Sequence, residues 1–75
     1  MTFLYLYDLK LRGSIKAYNR NKRRFYYMLN RSAIKDQPTK TKSAILVDDT
    51  LEDKADMFFS RFDDCVELYK FRIWE

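Results

Sequence analysis

Seventy-five residues allow one domain, and a domain this small buries only about 60% of the surface its unfolded chain exposes. Histidine is absent and Cys65 is the single cysteine, which excludes Ser-His and Cys-His nucleophilic machinery, an internal disulfide and the common zinc sites. The net charge of +4 hides an asymmetry: residues 1–42 carry eleven Lys or Arg against two acids, whereas residues 43–75 carry four against nine. A basic half favours a polyanionic partner, most often nucleic acid; the alternative is two halves that complement each other within a monomer or across a dimer. No stretch approaches the roughly 20 apolar residues of a membrane span, and the first residues lack the basic region and cleavage site of a signal peptide. The expectation is a soluble, cytoplasmic protein with no membrane partner. Any chemistry falls to carboxylates, hydroxyls, Lys or Arg, with Cys65 a small core filler.

The first predicted element is a strand from Thr2 to Asp8, an unbroken apolar and aromatic run of the kind found at the centre of a sheet. Alternation places Leu4, Leu6 and Asp8 on one face and Phe3, Tyr5 and Tyr7 on the other. Both faces are apolar, and two helices cover only one, so the second face is expected to meet another copy of the chain. Asp8, just at the strand's end, stands where a carboxylate can hold a metal or orient water, or simply cap the next turn.

Leu9 to Gly13 is a loop, and Ser14 occupies an N-cap position. From Ile15 to about Arg31, Ile15, Tyr18, Phe25, Tyr26 and Leu29 recur at helical spacing as the inward side. Lys16, Arg20, Arg23, Arg24, Tyr27 and Arg31 form the other side, a cationic stripe with an aromatic inside it. No acid occurs between Ser14 and Arg31, and unrelieved like charges at i,i+4 destabilise a helix. A sequence selected for stability alone would mix the signs, so the stripe reads as a phosphate-binding surface, with solvated surface as the competing reading.

Ser32 to Lys40 is a connection with Pro38 marking a boundary and a brief extended piece at Ala33 and Ile34. A second strand is predicted over Thr41 to Val47 and ends on Asp48-Asp49, paired acids that can bind Mg²⁺ but also begin the next helix. Thr50 with Asp53 resembles a capping box, and Leu51, Ala55, Phe58, Phe59 and Phe62 mark one apolar helix face. Asp63-Asp64 makes a turn. Cys65 to Trp74 is the last strand, with Val66 and Leu68 on one face and Tyr69, Phe71 and Ile73 on the other. So apolar an edge strand needs something to pair with, and a partner subunit would supply it.

Strand, helix, strand, helix, strand, with an extra short strand before Ser43, predicts the α+β class: a ferredoxin-like βαββαβ sandwich in one domain, two helices on one face of an antiparallel sheet. Tyr7-Asp8, the basic helix with Lys22-Arg23-Arg24, the stretch Lys42-Ser43-Ala44-Ile45 and the run Cys65-Val66-Glu67-Leu68-Tyr69-Lys70 carry a resemblance over nearly the whole chain. In these the chain resembles the small CRISPR-associated protein that partners the integrase in spacer acquisition, and the related virulence-associated protein D toxins. It carries Thr41-Lys42 where those proteins have Gln before the Ser. The resemblance implies a symmetric homodimer with two copies of Asp8 near the twofold axis, sharing a divalent ion in some members, a basic surface that binds nucleic-acid duplex, and an integrase-type protein partner.

Three functions follow as expectations. The first is a sequence-independent nucleic-acid-binding homodimer in which Lys16, Arg20, Arg23, Arg24 and Arg31 neutralise phosphates of duplex DNA or RNA. The second is a metal-dependent nuclease with Asp8 as both catalytic residue and Mg²⁺ ligand. The third is a non-enzymatic interaction subunit whose last strand adds to a partner's sheet. With one candidate acid and no histidine, binding is preferred to catalysis.

Overall fold

The run Thr2–Leu9 forms the first strand, β1, and everything else is laid against it. The computed structural model describes residues 1–11, 13–37, 39–41 and 43–73. Along these the elements are β1 (Thr2–Leu9), α1 (Ile15–Leu29), β2 (Thr39–Thr41), β3 (Ala44–Asp48), α2 (Glu52–Ser60) and β4 (Val66–Ile73), with a single 3₁₀ turn, Asp49–Leu51, ahead of α2. The four strands make one sheet in the order β2-β3-β1-β4, and every neighbouring pair is antiparallel. β1 is therefore internal, as its two apolar faces predict, and β4 is an edge.

Alternation along β1 divides its residues as expected. Phe3, Tyr5 and Tyr7 are buried, and Leu4 and Leu6 are half-buried on the opposite side with Asp8 exposed. Both helices cover the first of these faces. Phe25 and Leu29 of α1, Ala55, Phe58 and Phe59 of α2, and Phe62 just beyond it form one cluster with Phe3, Tyr5, Tyr7, Ile45, Val47 and Val66. Phe25 is its hub, with ring centroids of Tyr7, Phe58 and Phe62 at 5.3, 5.5 and 5.2 Å. Tyr5 and Phe59 stack at 5.3 Å. Each fully buried aromatic of this kind contributes about 1.5–3 kcal/mol by leaving water, and offset or edge contacts between rings add to it. Cys65 is buried at the margin of the same cluster.

Several boundaries differ from those expected. α1 stops at Leu29, with Asn30 as its C-cap, so Arg31 lies in the following turn. Ile15 is 70% exposed, because the buried contacts of α1 begin further along and centre on Phe25 and Leu29. Ala33 and Ile34 sit in turns, and Ile34 plugs the core from there rather than from an extended piece. The strand expected over Thr41 to Val47 is two strands: Ser43, a residue that favours turns, separates β2 from β3, with a register irregularity between Thr39 and Thr41. The carbonyl of Ser43 accepts the N–H of Tyr7 at 2.9 Å, which ties this turn to the end of β1. Pro38, Lys42 and Trp74 lie outside the described residues.

Helix starts are also set differently at the two helices. Ser14 caps α1 as its sequence position predicts, accepting the N–H of Ala17 at 3.1 Å, and Gly13 before it takes φ +68°. The capping box of Thr50 and Asp53 does not form. Asp48 takes its place: its carboxylate accepts the Thr50 N–H at 3.0 Å and the Thr50 hydroxyl at 2.5 Å. Those bonds hold the Asp48 carboxyl below the usual range and give it a capping role, while the Asp49 carboxylate lies 3.7 Å from the N-terminal ammonium.

One polar network ties β4 to α2. Lys70 lies opposite Tyr5 on the helix side of the sheet, and its ammonium donates to Glu52 and, at 3.1 Å, to Asp56. The Tyr5 hydroxyl donates to the other Asp56 oxygen at 2.7 Å, and the Lys70 ammonium lies 4.8 Å from the Phe3 ring centre. Burial raises the Tyr5 pKa first and the Asp56 carboxylate adds to it. Burial opposes the charge of Lys70, but Glu52 and Asp56 outweigh it and hold the ammonium well above its ordinary range. Both groups bind protons more tightly folded than unfolded, so the stability they contribute is complete below their unfolded pKa values near 10 and declines as pH rises beyond. Chemical denaturation between about pH 9 and 12 should show a falling midpoint. The Lys70→Met variant should be less stable near neutral pH and show a shallower alkaline decline; equal slopes for the two proteins would remove this linkage.

Candidate nucleic-acid interface

Because Phe25 and Leu29 anchor α1 inward, the residues half a turn away must face water. Lys16, Arg20, Arg23, Arg24 and Tyr27 are exposed along α1, and Arg31 is exposed in the turn after it. From Lys16 to Tyr27 the stripe rises about 16 Å along the helix axis. Among the described residues none of its five cations meets a carboxylate, whereas Lys70 pairs with Glu52 and Asp56 and the N-terminal ammonium lies 3.7 Å from Asp49. An unpaired cationic row of this kind attracts polyanions, and its members repel one another until a polyanion arrives.

The stripe is not uniform. Arg20, Arg23, Arg24 and Tyr27 line one open groove. The Arg31 guanidinium lies 4.6 Å from the Tyr27 ring centre, and Arg24 lies 5.3 Å from the centre of the Phe62 ring. Arg24 thus covers part of the aromatic core while its head stays in water. Lys16 stands one helical turn before Arg20. Lys54 and Arg61 of the acidic half line a second groove with Ser32, Ala33, Met57 and Phe58, directly after Arg31 along the chain.

Asp8 is elsewhere. It ends the sheet face that carries no helix, on the side away from the arginines, and its cross-strand neighbour is Glu67. Like charges directly opposite each other disfavour the pairing unless a cation or proton intervenes. The same register puts Leu4 beside Leu46 and Phe71, and Leu6 beside Tyr69. Tyr69 is 52% and Phe71 49% exposed, and the Tyr69 hydroxyl donates to Glu67 at 2.5 Å, which pushes the tyrosine pKa up. This face is apolar at its centre and acidic at the Asp8 end.

The protein thus gathers the predicted cations on one layer and keeps the predicted acid on the other. Glu67, the Tyr5–Asp56–Lys70–Glu52 network and the seat of Arg24 on Phe62 were beyond sequence reasoning, since each joins residues on different elements. The pairing of Tyr27 with Arg31 has a local signal, the i,i+4 spacing. Among the described residues no group of three or more Asp, Glu, Cys or His is placed to hold a metal, and no helix is long and apolar enough to cross a membrane. Compared with known protein families, curated proteins and solved structures, the chain matches none.

Arg24 and its neighbours should separate in stability measurements. Arg24→Ala is expected to cost about 0.5–1 kcal/mol through lost contact with Phe62. Arg20→Ala and Arg23→Ala should change stability by less than about 0.5 kcal/mol, in the stabilising direction where repulsion is relieved. Urea denaturation of the three variants decides it, and equal losses would show that Arg24 has no covering role.

Proposed function

We propose that this chain is a nucleic-acid-binding homodimer with a ferredoxin-like βαββαβ architecture, and that its α1 stripe binds duplex DNA or RNA without reading sequence. The observation that carries the reading is the row of Lys16, Arg20, Arg23, Arg24 and Arg31, exposed on one side and lacking carboxylate partners among the described residues. Four guanidinium forks and one ammonium on flexible stems suit phosphate oxygens, and phosphate contacts carry no sequence information. The strand order β2-β3-β1-β4 with both helices on one face supports the ferredoxin-like assignment. This reading extends the resemblance of the sequence to the small CRISPR-associated adaptation protein and the virulence-associated protein D relatives, and with it an integrase-type protein partner.

The homodimer reading rests on the uncovered sheet face, where Leu4, Leu6, Leu46, Tyr69 and Phe71 lie together. Pairing two such faces hides the apolar surface and leaves both α1 stripes pointing outward, so one dimer presents two basic surfaces. The acidic end of that face would repel phosphates, which keeps the nucleic acid on the helical layer. In sedimentation at micromolar concentration the protein should run as a dimer, and Phe71→Asp should shift it to monomer. A stable wild-type monomer would exclude this arrangement.

Replacing Arg20, Arg23 and Arg24 together should weaken binding equally for unrelated duplex sequences. It should also flatten the dependence of log K on log salt by about one unit per lost contact, about three in all. Fluorescence anisotropy across a salt series measures both quantities. Unchanged binding would reduce the stripe to solvated surface.

A second reading, a Mg²⁺-dependent nuclease, is favoured by the pairing of Asp8 with Glu67. Two carboxylates suffice for Mg²⁺, which keeps several of its waters, and the ion would supply charge for attack on a phosphodiester. Asp8 and Glu67 are the residues that would hold it. Mg²⁺-dependent cleavage by wild type that is lost in Asp8→Asn and kept in Ser43→Ala would establish this second reading over binding alone.

A further inference from the structure

Tyr27 is the one feature of the stripe that phosphate binding leaves unexplained. Its ring is 56% exposed in the middle of a cationic row, where a sixth cation or a short polar residue would serve a phosphate better. One face of the ring is taken by the Arg31 guanidinium at 4.6 Å. Another part of it joins Arg20, Arg23 and Arg24 in lining a groove of about 340 Å³, and the walls of that groove are mainly carbon. The groove is shallow and open, so it offers a surface on which a flat ring can lie and not an enclosed cleft. Carbon walls under guanidinium heads suit a ligand that is aromatic in the middle and anionic at its ends.

We infer that Tyr27 is a stacking platform for an unpaired nucleobase, so that the α1 groove takes a nucleic-acid strand with at least one base outside a duplex, as at an overhanging end. This rests on the reading of α1 as a nucleic-acid surface and narrows it. The base would lie against the Tyr27 ring between the arginine stems, with Arg20, Arg23 and Arg24 left to meet the phosphates on either side of it. Every base has a π-face, so stacking of this kind tolerates any sequence, in keeping with a surface that does not read bases. A base inside a duplex keeps its faces against its neighbours and cannot reach the ring. The competing account makes Tyr27 and Arg31 a cation–π pair that tidies the end of α1. That account explains their contact but not the arginine-lined groove on which the ring also opens.

The test compares a blunt duplex with the same duplex carrying a short single-stranded overhang that contains 2-aminopurine, against wild type, Tyr27→Ala and Tyr27→Phe. Wild type should prefer the overhang and should quench its fluorescence. Tyr27→Ala should lose about five- to a hundredfold in affinity for the overhang and lose the quenching, with a much smaller loss on the blunt duplex, where only the seat of Arg31 is disturbed. Tyr27→Phe, which keeps the ring, should behave as wild type. Equal wild-type affinity for blunt and overhanging duplexes, or an equal loss on both in Tyr27→Ala, overturns the stacking role while leaving phosphate binding by α1 standing. Absence of binding to either probe would overturn the nucleic-acid reading itself.

Discussion

The packing of Phe25 against Tyr7, Phe58, Phe59 and Phe62 is the contact on which the rest of this protein turns. It sits where the central strand, both helices and the turn after α2 converge, and its side chain is completely buried. A helix held by one such anchor and by Leu29 a turn later has only one rotation about its axis that keeps both inside. That rotation sends Arg20, Arg23, Arg24 and Tyr27 outward. The basic surface is thus a consequence of core packing, and its residues tolerate mutual repulsion because the aromatic cluster holds α1 in place.

A four-stranded sheet with both helices on one side has a second side to account for. Here that side is apolar at its middle and acidic at the end where Asp8 faces Glu67, while the outer side of α1 is basic. The charge asymmetry between the two halves of the sequence does not map onto the two layers: Asp8 of the basic half ends the bare face, and Glu52, Asp53 and Asp56 of the acidic half stand on α2 in the same layer as α1. Lys70 of the acidic half lies against that helix, where Glu52 and Asp56 pair with it. That network, with Tyr5, secures the edge strand against the helix in a chain whose small core leaves little stability to spare.

Local signals in the chain carried the fold a long way. The apolar run of β1, the serine before α1 and the helical spacing of Phe25 with Leu29 and of Ala55 with Phe58 are all read between residues a few positions apart, and each is present in the structure, whereas β4 forms with Glu67 to Arg72 all exposed. Where the reading failed, a neighbour had been misjudged over equally short range. Asp48 competes for the cap that Thr50 and Asp53 suggest, and Ser43 breaks a run that composition alone makes continuous.

The sequence by itself determined which residues lie on the two faces of β1 and β4, and that α1 carries its cations on one side, because periodicities of 2 and 3.6 residues are properties of the backbone alone. Only the tertiary structure decided which strands become neighbours. Asp8 faces Glu67, Arg24 rests on Phe62 and Lys70 reaches Glu52 because strand register and helix packing bring together residues far apart in the chain. Those choices are made by burial of the whole aromatic cluster at once, an energy that no short stretch of sequence contains.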